Sequence, residues 1–359
     1  MDLRPDPMQT QLRRALRAGL AGVAVKPGLR GVPVDDGPAS QTAAVLAELS
    51  APMYELPVAH GGLGLGLAAG VTVSEELGRA ACGNPYRAAA LVSDAAMACG
   101  RADVLDNVRG GMTVSVAGLE DDPGGGVTAA PGEDGGVELT GTVLADAAGA
   151  DLLAVGFDRD GSQVLALVAA GSSGYKWHGD AWPAAVQLSG VPVTDRDIMP
   201  ANTGLGLGPL PAAQVRQAGY LVGLAAGMHA AAVKYTGSRH QFGGRLRDHQ
   251  AIGFPLARMT VSLRATRLAV HHAAWMVDSG RASMAPVEAL AAAADTLLAM
   301  VPITMQVCGS RCMTSELSLH RYYRLAAAEP FRYGKPGKLW RRAGAARLVE
   351  AGSGFTRPS

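Results

Sequence analysis

Charge is scarce in this sequence: Asp, Glu, Lys and Arg make up 18% of its 359 residues and sum to +1 at neutral pH. A chain so nearly neutral carries no electrostatic footprint for a polyanion, so no nucleic-acid partner is expected. Cysteine is rare as well. Cys82, Cys99, Cys308 and Cys312 are irregularly spaced, which argues against a disulfide framework and fits a reduced, cytoplasmic protein. Cys308 and Cys312 stand four apart without a histidine pair at ligand spacing, so buried thiols are expected and no metal. No apolar run is read as long enough to span a bilayer, and the polar start Asp2-Leu3-Arg4-Pro5-Asp6 is unlike a signal peptide. No membrane association is expected.

What the chain does have is small apolar residues. It is 48% hydrophobic with 47 glycines, while aromatics reach only 5%. Such a chain buries a large core. Small side chains let helices approach closely but bury little area each, so joining helices with another subunit would add stability.

Periodicity divides the chain into three parts. Residues 1–109 read as an N-terminal helical domain, with apolar helical spacing over 41–49, 71–81 and 87–99 and Gly/Pro clusters at 26–37 and 61–70. Residues 110–205 read as a small β-domain. Strand-length runs lie at 112–117, 137–139, 152–157, 164–168 and 185–188, and Asp-Arg-Asp-Gly-Ser at 158–162 marks a hairpin turn. Residues 206–359 return to helix, with runs at 211–238, 251–279, 286–308 and 317–328 that predict an up-and-down four-helix bundle. Pro255 falls near the start of its helix, where proline is tolerated.

The most informative string is Arg239-His240-Gln241-Phe242-Gly243, followed by Gln250 at the head of an amphipathic helix. Arg239 alone reads most simply as a surface arginine at a helix elbow. Arginine also offers a rigid fork of donors for a pyrophosphate, and glutamine offers both a donor and an acceptor. With Leu56-Pro57-Val58-Ala59-His60-Gly61-Gly62-Leu63-Gly64-Leu65, Val73-Ser74-Glu75-Glu76-Leu77-Gly78-Arg79, Gly190-Val191-Pro192-Val193, Gln306-Val307-Cys308-Gly309, Glu316, Arg321 and Arg324, it resembles the acyl-CoA dehydrogenase family. The resemblance implies an α+β fold: an N-terminal helical domain, a central small β-barrel domain and a C-terminal four-helix bundle. It implies FAD as cofactor, with Arg239, Phe242, Gln250, Gln306 and Gly309 reaching the FAD of a neighbouring subunit.

The chain departs from that pattern where the chemistry should be. Family members use a glutamate to remove the α-proton of an acyl thioester while the β-hydrogen leaves as hydride to the flavin. A carboxylate suits the task because an apolar pocket raises its pKa towards neutrality. At the usual glutamate position this sequence has Tyr333, in Arg332-Tyr333-Gly334-Lys335, and at the alternative position on the first bundle helix it has Ala213, next to Gln214. The contacts each subunit offers its own flavin are also reduced. Glu120 matches but no threonine precedes it, Gly141-Thr142-Val143-Leu144-Ala145-Asp146 lacks the family's Trp and Thr, and Arg311 interrupts the adenine loop.

Three expectations follow from the resemblance and its gaps. The first is a base-lacking subunit of a mixed oligomer that performs α,β-dehydrogenation of an acyl thioester carried by coenzyme A or a carrier protein. The second is an enzyme of altered chemistry (dehydration, isomerisation or cyclisation), homo-oligomeric or not, with Tyr333 as acid or base. A phenol would need its pKa of about 10 lowered, and Arg332, Lys335 and Lys338 are the candidate cations; the plainer reading of Tyr333 is a filler side chain. The third is a flavin-free scaffold. The basic run Arg332, Lys335, Lys338, Arg341, Arg342 and Arg347 reads as a solvated helix face.

Overall fold

A computed structural model describes residues 7–23, 37–119, 126–132, 136–145, 149–178, 184–314 and 317–353. Glu120, Asp146, Glu316 and the 26–36 cluster lie outside the described residues, as does the tail beyond Ser353.

The chain opens with helices α1 (Pro7–Ala21), α2 (Gly37–Glu48), α3 (Leu67–Arg79), α4 (Pro85–Ala98) and α5 (Ala102–Arg109). The 71–81 and 87–99 runs correspond to α3 and α4. Helix α5 was not anticipated; its eight residues are too few to show a period. Asn84 starts α4, its side chain accepting from the Arg87 backbone N–H at 3.2 Å. Charge holds α1 in place. Glu75 and Glu76 of α3 are buried, and they are reached by Arg13 (3.0 Å to Glu75) and Arg17 (2.7 Å to Glu76) from α1.

The middle of the chain folds as two four-stranded sheets. One has the order β1-β4-β5-β8, from Val114–Ala117, Leu152–Arg159, Ser162–Ala169 and Ile198–Pro200; the other has β2-β3-β7-β6, from Thr128–Pro131, Val137–Ala145, Ala184–Val193 and Tyr175–His178. Among the described residues, β1 and β4 pair in parallel and the other strand neighbours are antiparallel. The sheets share a core that includes Leu139, Leu153, Val155, Val186 and Leu188. Along β3 and β7 buried and exposed residues alternate, the period-2 signature of a sheet with one covered face. The hairpin turn is where the sequence places it: Arg159 pairs with Ser162, and Asp160 and Gly161 both have positive φ. Strands β2, β6 and β8, of three or four residues each, escaped the sequence reading.

Helices α6 (Pro209–Ser238), α7 (Gln250–Asp278) and α8 (Ala285–Cys308) form long antiparallel neighbours, followed by α9 (Leu319–Ala328) and α10 (Pro336–Ser353). The fourth long helix of the bundle is α10, not the 317–328 run. Helix α9 has only ten residues against the 24 of α8, too short to span the bundle. Two exposed side-chain links fasten α10 to α8: the Trp340 indole N–H donates to Asp295 at 2.7 Å, and Arg347 meets Glu288 at 2.6 Å.

Helix α6 is buried on every side from Pro209 to Met228, as a helix apolar all round should be. It packs between α3 and the pair α7–α8. Glycine makes the α3 contact possible. A Cβ on Gly223 would stand 2.1 Å from the Glu75 carbonyl oxygen, and one on Gly78 would stand 2.1 Å from that of Tyr220. One expectation fails here: Ala285–Met313 is long and apolar enough to cross a bilayer by composition. In the fold its Val287, Leu290, Leu297 and Met300 are core residues.

Candidate functional site

The clamp string of the sequence forms a projecting arm between α6 and α7. Arg239 ends α6 in extended backbone, its N–H still donating to the Tyr235 carbonyl at 3.0 Å. A two-residue hairpin follows, β9 (His240–Gln241) against β10 (Gly244–Arg245), with Gly244 opposite Gln241 and Arg245 opposite His240. The turn residues Phe242 and Gly243 have φ of +52° and +82°, the sign pattern of a type I′ turn. Glycine adopts it freely, whereas phenylalanine holds it at a cost of about 1–2 kcal/mol. That strain sits on a ring 87% exposed, packed edge-on against His249 at 6.2 Å. Strained backbone under an exposed aromatic is the mark of a group kept for contact with something outside this chain.

Antiparallel packing gathers the rest of the clamp. The N-terminus of α7 and the C-terminus of α8 lie at one end of the helix pair, so Gln250 shares that end with Gln306 and Gly309. Gln250, Gln306 and Gly309 are exposed and Arg239 is half-buried. Gly309 caps α8 at φ +62°, ψ −157°, a conformation reserved for glycine. A Cβ on either Gly243 or Gly309 would meet nothing within 4 Å. Residues 238–258 carry Arg239, Arg245, Arg247 and Arg258 against the single acid Asp248. An outward-facing end with glutamines, open glycines and a local excess of arginine suits a ligand with a pyrophosphate and a heteroaromatic ring. FAD fits that description.

The two base positions lie elsewhere, and both are buried. Ala213 is 0% exposed and Tyr333 is 4% exposed within the main core. Tyr333 sits in a turn between α9 and α10 completed by Gly334 at φ +121°. Its neighbour Arg332 is not on a solvated face, contrary to the reading of the basic run. It is buried, with its Nε 3.3 Å from Glu329, so its charge serves a carboxylate.

Around Glu329 lies a network that sequence reasoning missed. Arg87 of α4 donates through Nη1 to Glu329 at 2.7 Å and to Gln217 of α6 at 2.6 Å; Gln217 donates in turn to the Glu329 carboxylate at 2.8 Å. All three side chains are buried. Burial by itself would raise the Glu329 carboxyl, but Arg87 and Arg332 outweigh it and hold it down at about 2. The network ties the Tyr333 turn to α4 and α6. Its only trace in the sequence is an Arg and a Gln among apolar helix residues, 130 positions apart.

Comparison with known proteins agrees with the fold. Residues 209–336 match the acyl-CoA dehydrogenase C-terminal domain. A probable acyl-CoA dehydrogenase of Mycobacterium tuberculosis, FadE25, is 31% identical over 105 residues, 29% of this chain. Alignments with curated relatives are partial, spanning 15% of one relative's length and 27% of FadE25. Over its full length the fold is that of solved acyl-CoA dehydrogenase-like proteins. The Tcur3481-Tcur3483 steroid ACAD G363A variant superposes with a TM-score of 0.83 at 25% identity, covering 96% of this chain and 99% of that one. The ChsE4-ChsE5 complex of Mycobacterium tuberculosis gives 0.80 at 22% identity, covering both chains completely. Residues 209–336 thus match the acyl-CoA dehydrogenase C-terminal domain, and the chain as a whole has the acyl-CoA dehydrogenase fold.

Proposed function

We propose that this chain is the base-lacking subunit of a mixed acyl-CoA dehydrogenase-type flavoprotein that acts in α,β-dehydrogenation of an acyl thioester. One observation carries the reading. Phe242, Gln250, Gln306 and Gly309 face outward at one end of the bundle, while neither base position presents a carboxylate: Ala213 and Tyr333 are both buried core side chains. Arg239, Phe242, Gln250, Gln306 and Gly309 then grip the FAD of a neighbouring subunit. The flavin accepts the β-hydrogen as hydride, and the neighbouring chain supplies the base.

Two further features support an assembly. Phe254, Val261 and Leu268 are exposed on α7 at seven-residue intervals, an apolar stripe of the kind that seats a second helix. Two solved relatives, the ChsE4-ChsE5 complex and the Tcur3481-Tcur3483 steroid ACAD, are each named for a pair of chains. The assembly is placed in the cytoplasm, in keeping with four free cysteines.

Replacing Tyr333 by Phe tests the reading against phenol chemistry. The ring keeps its volume and the hydroxyl is lost, so turnover of the native assembly is expected to stay unchanged. A collapse of turnover in a well-folded Tyr333→Phe variant would make the phenol an acid or base and overturn the base-lacking assignment.

A further inference from the structure

The exposed row on α7 carries charge as well as apolar surface. Phe254, Val261 and Leu268 are 59%, 69% and 52% exposed. Two exposed arginines stand among them, Arg258 three residues before Val261 and Arg264 three residues after it. Neither has an ion pair among the described residues. The third arginine of α7 differs, since Arg267 turns onto buried Glu75 at 2.6 Å. The one acid of α7 is its last residue, Asp278, whose carboxylate accepts the Leu67 backbone N–H at 2.9 Å. The outer face of this helix therefore offers apolar contact and positive charge, with no carboxylate of its own.

A helix laid along that row must answer both. A second copy of this chain answers only one. In an isologous pair each contact is made twice, residue i on j and j on i. An antiparallel pairing centred on Val261 serves the apolar side chains well, with Phe254 against Leu268 and Val261 against itself. The same symmetry sets Arg258 level with Arg264, because they lie equally far from the centre on opposite sides. Two pairs of arginines would then share one seam. Like charges facing across an interface suppress pairing, and opposite charges at the same places select the partner.

The row is also continuous with the clamp. Gln250 is the first residue of α7, and Phe254 lies one turn further on. Under the function proposed above, on which this step rests, the chain whose FAD the arm reaches is the one that covers this face. We propose that Arg258 and Arg264 select against a second copy of this chain and for a different subunit. That subunit lays an apolar helix along Phe254, Val261 and Leu268 and carries carboxylates opposite the two arginines.

The full chain can test this without its partner. Arg258→Glu sets a carboxylate level with Arg264 of a second copy, twice over by symmetry, and Arg264→Glu does the same in reverse. In sedimentation equilibrium each single variant should dimerise at least about tenfold more tightly than wild type. The gain should narrow in about 1 M salt. The double variant should lose the gain by itself and pair one-to-one with wild type. Circular dichroism checks that each variant is folded. Equal self-association of wild type and the single variants, none at all included, overturns this inference alone. A wild-type chain that is already a tight dimer and retains FAD by itself overturns the mixed-oligomer reading, and this inference falls with it.

Discussion

Replacing Arg239 by Ala in the native assembly is expected to strip most of the flavin while leaving the fold intact. The residue sits at an exposed helix end, and its backbone bonds to Tyr235 and Leu246 do not involve the side chain. Truncation therefore removes no core packing. What it removes is the guanidinium fork, whose two parallel bonds to a pyrophosphate are of the strong, charge-assisted kind. Losing hydrogen bonds to a charged group costs about 1.5–3 kcal/mol each, so retention should fall by about a hundredfold or more. Flavin content after gel filtration, read against wild type, is the check. Unchanged occupancy would remove Arg239 from the clamp.

The second large effect is on stability. Glu329→Ala is expected to destabilise the protein by about 3–5 kcal/mol, because it removes the buried carboxylate that Arg87 and Arg332 share. Glu329→Gln should be milder, since it keeps the shape and part of the hydrogen bonding. The same carboxylate predicts an acid limit. Its folded pKa of about 2 lies below the ordinary 4.5, so its contribution is complete above pH 4.5 and is lost as pH falls towards 2. Chemical denaturation of wild type and Glu329→Gln across that window checks both statements. The difference between them should shrink as pH drops. A difference that stays constant would mean the charge of Glu329 does not support the fold.

Much of this architecture was legible in sequence because it rests on local signals. Sustained helical spacing marks α6, α7 and α8 to within two residues, and Asp-Gly at 160–161 marks the β4–β5 hairpin. The stretch from Arg239 to Gln250 stood out for the same reason, since it is one continuous run of sequence. Its shape did not. That Phe242 would sit at positive φ on a hairpin tip runs against its own backbone preference, and only the two-residue turn joining β9 and β10 imposes it.

The buried charge networks were hidden by distance along the chain. Arg216 meets Glu55 across 161 residues, and Arg87 meets Glu329 across 242. No window of sequence contains both partners, so nothing local marks either charge as buried. The swap of α10 for the 317–328 run as fourth bundle helix has a similar origin. Helical period is present in both stretches, and only length against a 24-residue neighbour separates them.

As proposed, this chain completes another subunit's flavin site and lacks the means to hold FAD by itself. The visible absorption spectrum of the chain purified alone, recorded before and after FAD is added and the excess removed, tests it most directly. A colourless protein that stays colourless, and turns yellow only when isolated with its partner chain, is the predicted result. Flavin bands retained by the chain alone would show a self-sufficient site and contradict the assignment.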